Sequence, residues 1–305
     1  MTGQRPTRDD PAGRAYLDLR RVAHADGRLT DEYLRLYVLE GFLARLATSQ
    51  YTEKLTIKGG ILLAAYAIRR PTADIDVAAH GVPGQIDQIR DLVASIAAQP
   101  SDDGIVFDPS TVHGEQIRDE GDYSGVRVSL TAGLATAVIR FHVDINIGDP
   151  IWPGPDQVHL PRLLGGEITL RGYPLPMVLA EKTVTAVERG TANTRWRDFA
   201  DIYLLTGTHT MSAAIVRRAI WTVAKHRGIA PRPLRVVHDG YAELGQAKWA
   251  AWRRRLRLDA ALPEQFGEVL VAVWAFTDDL LESDTGDGAW HSGTRQWRQL
   301  VPQGT

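Results

Sequence analysis

The stretch KGGILLAAYAIRRPTADIDV, residues 58–77, decides how the fold is read. A glycine pair opens an apolar run, ILLAAYAIR, with helix-like composition. Pro71 ends that run, because the residue before a proline is pushed out of helical geometry. DIDVAA then reads as a strand. Side chains alternate along a strand, so Asp74 and Asp76 share one face while Ile75 and Val77 enter the core. Two carboxylates this close repel unless a cation lies between them. Mg²⁺ takes oxygen ligands and is readily shared with substrate phosphates. Glycines at a helix start leave backbone N–H groups open to an anion and let it approach closely. Each signal alone is common: Asp-x-Asp also ends ordinary strands in water, and a glycine pair also marks a plain turn. Lys58, just before the glycines, either reaches phosphates or is a solvated strand end.

A third carboxylate strengthens the pattern. In VIRFHVDINIG, residues 138–148, Ile139, Phe141, Val143, Ile145 and Ile147 alternate with Arg140, His142, Asp144 and Asn146. Asp144 therefore stands on the polar face of a strand with an apolar back. If this strand neighbours residues 74–77, three carboxylates converge. Such a set can hold two metal ions roughly 3.5–4 Å apart, which clamp the attacking and leaving oxygens in phosphoryl chemistry. Asp144 is also placed to take a proton from an attacking hydroxyl. The alternative is a surface aspartate paired with Arg140 or Arg127.

Outward from these strands, residues 30–49 and 85–98 carry helical spacing. Residues 101–110 read as a loop around a short strand. Residues 125–149 read as two long strands joined near Gly133, and residues 167–175 as a further short strand. From Pro176 the texture changes to five helix-like segments, which places a domain boundary at residues 172–173. Residues 286–305 are polar and glycine-rich apart from two tryptophans, and read as a flexible tail.

The chain has 305 residues, 44% hydrophobic and 24% charged, with no cysteine, so disulfides and thiolate metal sites are excluded. No apolar run approaches the ~20 residues of a membrane span. The first thirty residues lack the apolar core of a secretion signal. A cytoplasmic protein fits these features. His-Glu-x-x-His, Gly-x-Ser-x-Gly and the Walker A loop are all absent. Formal charge is −2 overall, yet residues 189–257 hold 14 Lys and Arg against 4 Asp and Glu. Such a zone attracts a polyanion or forms a solvated helical surface. Arg217 and Arg218, and the run Arg253, Arg254, Arg255 beside Trp249 and Trp252, are its densest parts. At helical spacing the tryptophans read as core.

LTIKGGILLAAYAIRRPTADIDV, FHVDINIGDP and LAEKTVTAVERGTANTRWRDFADIYLL together resemble the polymerase-β-type nucleotidyltransferase superfamily. More narrowly, they resemble the AbiEii/AbiGii toxin family, with its MenT-type toxins of type IV-like toxin–antitoxin systems. Order and spacing agree from about residue 33 to 206, and the third stretch is the most specific. One departure is Ile61, where many members carry a serine or threonine hydroxyl toward the triphosphate.

The resemblance implies an α+β fold. Residues 1–172 would be a polymerase-β-like nucleotidyltransferase domain, with a mixed sheet and flanking helices, and residues 173–285 a mainly helical domain. It implies Asp74, Asp76 and Asp144 as catalytic ligands of Mg²⁺, as two ions. Lys58, Gly59, Gly60 and Lys182 would hold the NTP, and Asp198 would act with Lys182. A Lys182–Asp198 bridge of purely structural purpose is the alternative. The activity implied is transfer of NMP from an NTP to the 3′ acceptor end of tRNA, with loss of pyrophosphate, blocking aminoacylation and translation. Arg195, Arg197, Arg217, Arg218, Arg253, Arg254 and Arg255 are the candidate tRNA contacts. A cognate antitoxin encoded nearby is the implied partner, and a monomer is the expected state. Rival readings are a nucleotidyltransferase acting on a protein or small molecule, and an inactive nucleotide-binding or interaction module.

Overall fold

In the computed structural model, which describes residues 5–118, 124–282 and 288–299, the strand alternation of residues 137–147 organises the first of two units. That unit comprises Met1–Asp149 with Pro155–Tyr173; the second comprises Pro150–Gly154 with Pro174–Thr305.

The first unit runs α1 (Pro11–Ala25), α2 (Thr30–Thr48), β1 (Leu55–Lys58), α3 (Gly59–Leu62), β2 (Asp74–Ala79), α4 (Ile86–Ala97), β3 (Ile105–Arg118), β4 (Ser124–Leu134), β5 (Ala137–Ile147), β6 (Asp156–Pro161) and β7 (Glu167–Gly172). Its strands form one mixed sheet in the order β3-β4-β5-β2-β1-β7-β6. β2 runs parallel to β5, and β1 parallel to β7; the other neighbours are antiparallel. Ile75, Val77, Val143 and Ile145 are at most 1% exposed, so the apolar half of each strand is core. Phe42 of α2 meets Phe107 and Phe141 edge-on at 6.1 and 6.0 Å between centroids, packing that helix onto the apolar sheet face. Arg45 of α2 and Asp103 form a buried ion pair at 2.6 Å.

Two expectations are corrected. The helix after the glycines is short: α3 passes into a 3₁₀ turn over Leu63–Tyr66, and Ala67 adopts a left-handed φ of 61°. Backbone bonds from Ala67 to Ala64 and from Ile68 to Leu63 close it there, ahead of Pro71. The strand near residue 105 is long, not short. Asp108-Pro109-Ser110 looks like a break, but the register shift between Asp108 and His113 absorbs it as an irregularity, with Asp108 accepting bonds from the Ser110 amide and hydroxyl.

The second unit holds α5 (Leu175–Arg189), α6 (Trp196–Thr208), β8 (Met211–Ser212), α7 (Ala213–Arg227), α8 (Leu234–Val237), α9 (Tyr241–Arg255), α10 (Phe266–Glu282), β9 (Gly288–His291) and β10 (Gln296–Gln299). Phe199, Tyr241, Phe266 and Trp249 lie at its centre, Trp249 fully buried as core. Within the expected tail, residues 288–299 instead form strands of a second sheet, β10-β9-β8. The cause is aromatic burial. Trp290 is 0% exposed against Phe276, Trp297 stacks on Phe276, and each indole N–H donates to a carbonyl, of Thr206 and Phe276 respectively. The rest of that tail, residues 286–287 and 300–305, lies outside the described residues.

Candidate active site

Strand register sets a charged row across the first unit's sheet. Lys58 lies opposite Asp76, Asp76 opposite Asp144, Asp144 opposite Arg127, and Arg127 opposite Glu115. Residues paired across neighbouring strands point to the same face, with strands about 4.8 Å apart. The polar face therefore carries cation, carboxylate, carboxylate, cation, carboxylate in sequence. The next row holds Asp74 opposite His142, and His142 opposite Ser129, whose hydroxyl lies 2.9 Å from His142 Nδ1. Asp144 is thus a neighbour of the sequence-close pair Asp74 and Asp76 on one face of two parallel strands.

The carboxylates have different surroundings. Asp144 receives a two-pronged bond from Arg127, Nε to Oδ1 at 2.8 Å and Nη2 to Oδ2 at 2.7 Å. The hydrogen bond to Asp144 leads in holding the Arg127 guanidinium above its ordinary pKa, and the charges of Asp144, Asp74 and Glu115 add to it. Asp76 lies against Gly59. A Cβ built on Gly59 would come within 2.6 Å of Asp76 Cγ and closer still to Oδ2, and Gly59 has a φ of +69°. Glycine is required there twice over, by backbone conformation and by the carboxylate. A Cβ on Gly60 would sit 2.8 Å from Thr72 Oγ1. Gly59 thus lets the chain after β1 meet β2 itself, and Gly60 lets it meet the loop before β2. Lys58 donates to Asp149 at 2.6 Å, and its ammonium lies 5.4 Å from the centre of the Tyr173 ring.

The donor set suits a divalent cation in kind, being carboxylate oxygens gathered on one face. It is not a finished cage. Among the described residues no three His, Asp or Glu side chains are placed to hold a metal ion, and Arg127 engages both oxygens of Asp144.

Lys182 belongs to the second unit, where α5 and α6 bury it. Its ammonium donates to Asp198 at 3.0 Å and to Asp201 at 2.7 Å. Arg195 pairs with the other Asp198 oxygen at 2.6 Å. Burial pushes the Asp198 carboxyl up, but Lys182 and Arg195 outweigh it and hold the group below the ordinary aspartate value. Asp201 is part of this cluster although sequence reasoning gave it no role; its signal is the i, i+3 spacing from Asp198. Of the expected tRNA contacts, Arg197, Arg218, Arg254 and Arg255 are exposed, and Arg195 and Arg217 are half-buried. Arg253 pairs with Asp259 at 3.2 Å.

No curated protein matched the chain. MenT4, a nucleotidyltransferase toxin from Mycobacterium tuberculosis H37Rv, is similar in structure over 83% of this chain and 92% of its own, at 20% identity and a TM-score of 0.49. JHP933 from Helicobacter pylori is similar over 80% of this chain and 89% of its own, at 14% identity and a TM-score of 0.47. The family profile "Nucleotidyl transferase AbiEii toxin, Type IV TA system" matches residues 41–278, most of the chain and both units. The chain belongs to the AbiEii nucleotidyltransferase toxin family.

Proposed function

We propose that this toxin transfers a nucleoside monophosphate from an NTP to the 3′ end of tRNA, which blocks aminoacylation and so translation. One observation carries the reading: Asp76 and Asp144 are paired in register on adjacent parallel strands, with Asp74 one step along the same face. Carboxylates gathered in this way can supply ligands to the cation pair that phosphoryl chemistry uses.

Asp74 and Asp76, with Asp144, would hold Mg²⁺. Bound there, the cation supplies positive charge to the triphosphate and to the departing pyrophosphate. Asp144 accepts the proton of the acceptor hydroxyl. The acceptor oxygen then bonds to the α-phosphorus, while the bond from that phosphorus to the bridging oxygen breaks and pyrophosphate leaves with the electron pair. Lys58, in the same row as Asp76, and the backbone at Gly59 and Gly60 face the triphosphate in this reading. Ile61 has no hydroxyl to offer, so amides and cations carry more of the grip.

A polyanionic acceptor is supported by the 14 basic against 4 acidic residues of 189–257. Arg197, Arg218, Arg254 and Arg255 present part of that charge to solvent. Phosphate contacts of this kind weaken as salt rises, because counterions are released. Among the described residues no helix is long and apolar enough to cross a membrane. A cytoplasmic monomer completes the reading, and membership of a type IV toxin–antitoxin family implies an antitoxin partner.

The test is incubation with labelled NTPs, Mg²⁺ and total tRNA. Label should enter tRNA 3′ ends with wild type and be lost with Asp76→Ala. Label entering only protein or small molecules would refute the tRNA assignment. Absence of any transfer, with all four NTPs and folded protein, would refute the enzyme.

A further inference from the structure

We propose that Arg127 is a displaceable counter-charge. It holds Asp144 in the cation-free protein and gives it up when divalent cation and nucleotide load. This inference rests on the proposed function, because it assigns Asp144 to the cation.

Three observations lead to it. The first is occupancy. A guanidinium fork at 2.8 and 2.7 Å takes one lone pair on each carboxylate oxygen, and a cation seated on that carboxylate must share the same negative charge and the space in front of it. Arg127 and a metal ion therefore compete for one ligand.

The second is charge balance. Asp144 and Asp76 are fixed as neighbours by the pairing of β5 with β2, and their repulsion persists unless a positive charge attends them. Arg127 supplies it from the far side of Asp144, as a register neighbour on β4. On Arg127's own outer flank stands Glu115, an alternative partner once Asp144 is withdrawn.

The third is freedom to move. The Asp144 side chain is 12% exposed, whereas that of Arg127 is 34% exposed. The arginine has solvent on one side to turn into, and the aspartate does not. Exchange would thus move the long side chain and leave the carboxylate beside Asp76.

Arg127 is accordingly a positioning residue. It orients Asp144 before a cation loads, and it sets how tightly a bare cation binds. The three-carboxylate arrangement would form only with the cation in place.

The test measures cation affinity rather than turnover. Mn²⁺ binding is titrated calorimetrically for wild type, Arg127→Gln and Arg127→Lys, with a non-hydrolysable NTP present, and melting temperatures are recorded with and without Mn²⁺. Removing the competing fork should tighten Mn²⁺ binding by on the order of tenfold in Arg127→Gln. Mn²⁺ should also raise the melting temperature of that variant more than that of wild type. Arg127→Lys, a cation without the fork, should lie between. In wild type, the Arg127 Nε–H resonance, identified by its absence from the Arg127→Lys spectrum, should shift when Mg²⁺ and the nucleotide analogue are added together. This last readout stands even if Arg127→Gln does not fold.

A structural brace would behave differently. Arg127→Gln would lose stability that Mn²⁺ does not restore, its Mn²⁺ affinity would match wild type, and the resonance would stay in place. Those results overturn the inference while leaving the proposed function standing. Failure of wild type and variants alike to bind Mn²⁺ with the analogue overturns both.

Discussion

Replacing Gly59 by alanine tests how the site is built. Gly59 has a φ of +69°, and a Cβ there would fall 2.6 Å from Asp76 Cγ and 2.8 Å from Asp76 Cβ. The left-handed backbone costs a residue with a Cβ about 1–2 kcal/mol. Pushing the Asp76 side chain off its rotamer adds about 0.5–1.5 kcal/mol. The sum is roughly 2–3 kcal/mol, or about 5–10 °C of melting temperature in a unit of this size. Gly81 is the control: its φ is +65°, but a Cβ there meets nothing within 4 Å. Gly81→Ala should lose only the backbone part, about 1–2 kcal/mol, and keep its transfer rate. Gly59→Ala should also lose about a hundredfold in rate, because a displacement near 1 Å of a reacting group costs about that much. The assays are thermal unfolding and labelled-NTP transfer per mole of folded protein. If the two variants match in both stability and rate, the argument that Gly59 exists to seat Asp76 is wrong.

Four further outcomes follow from other parts of the molecule. Asp103→Asn should cost about 3–5 kcal/mol by denaturant unfolding, since it strands the buried Arg45 guanidinium, only 4% exposed, without its charge partner. Trp290→Ala should cost about 3–5 kcal/mol, whereas truncating a loose tail would cost nothing measurable. His238 is 1% exposed, and burial lowers its pKa to about 4. Its neutral form is favoured in the folded state, so its contribution is complete above pH ~6.5 and is lost as pH falls toward 4, about 3 kcal/mol in all. A His238→Gln variant should lack that part of the acid dependence of unfolding. Lys182→Met leaves Asp198 and Asp201 buried without their shared cation and should lower the melting temperature. Transfer per folded molecule decides whether Lys182 also acts in the reaction: loss supports the family-implied role, and retention refutes it.

Several of these features were legible in the amino-acid order, because a single period specified them. The two-residue alternation of residues 139–147 and the Asp-Ile-Asp-Val step placed three aspartates on polar faces, and β2 and β5 are neighbours. The helices α2, α4, α6, α7, α9 and α10 follow apolar spacing that needs no partner to be seen. What escaped depends on a partner. That Asp144 is taken by Arg127, named from sequence only as one of two alternatives, follows from the β4–β5 register, which is set by the turn after Leu134. Alternation gives a residue its face but not its opposite number. Asp201 completes the Lys182 cluster only because α5 and α6 lie side by side. Trp290 and Trp297 sit in glycine-rich, polar sequence and become core only where Phe276 of α10 receives them. β6 has alternating burial along Asp156–Pro161, but prolines and glycines crowd both its ends and hide the strand in the sequence.

In the proposed function, Asp74, Asp76 and Asp144 gather cations and a nucleotide on one sheet face. Crystals grown with Mn²⁺ and a non-hydrolysable NTP test it most directly, through anomalous scattering at the manganese edge. The expected result is a peak at bonding distance, about 2.1–2.2 Å as for hard divalent cations, from Asp74 and Asp76, with the triphosphate beside Gly59 and Arg127 swung away from an Asp144 carboxylate that now bonds the metal. Manganese and nucleotide bound elsewhere, with Arg127 still on Asp144, would contradict it.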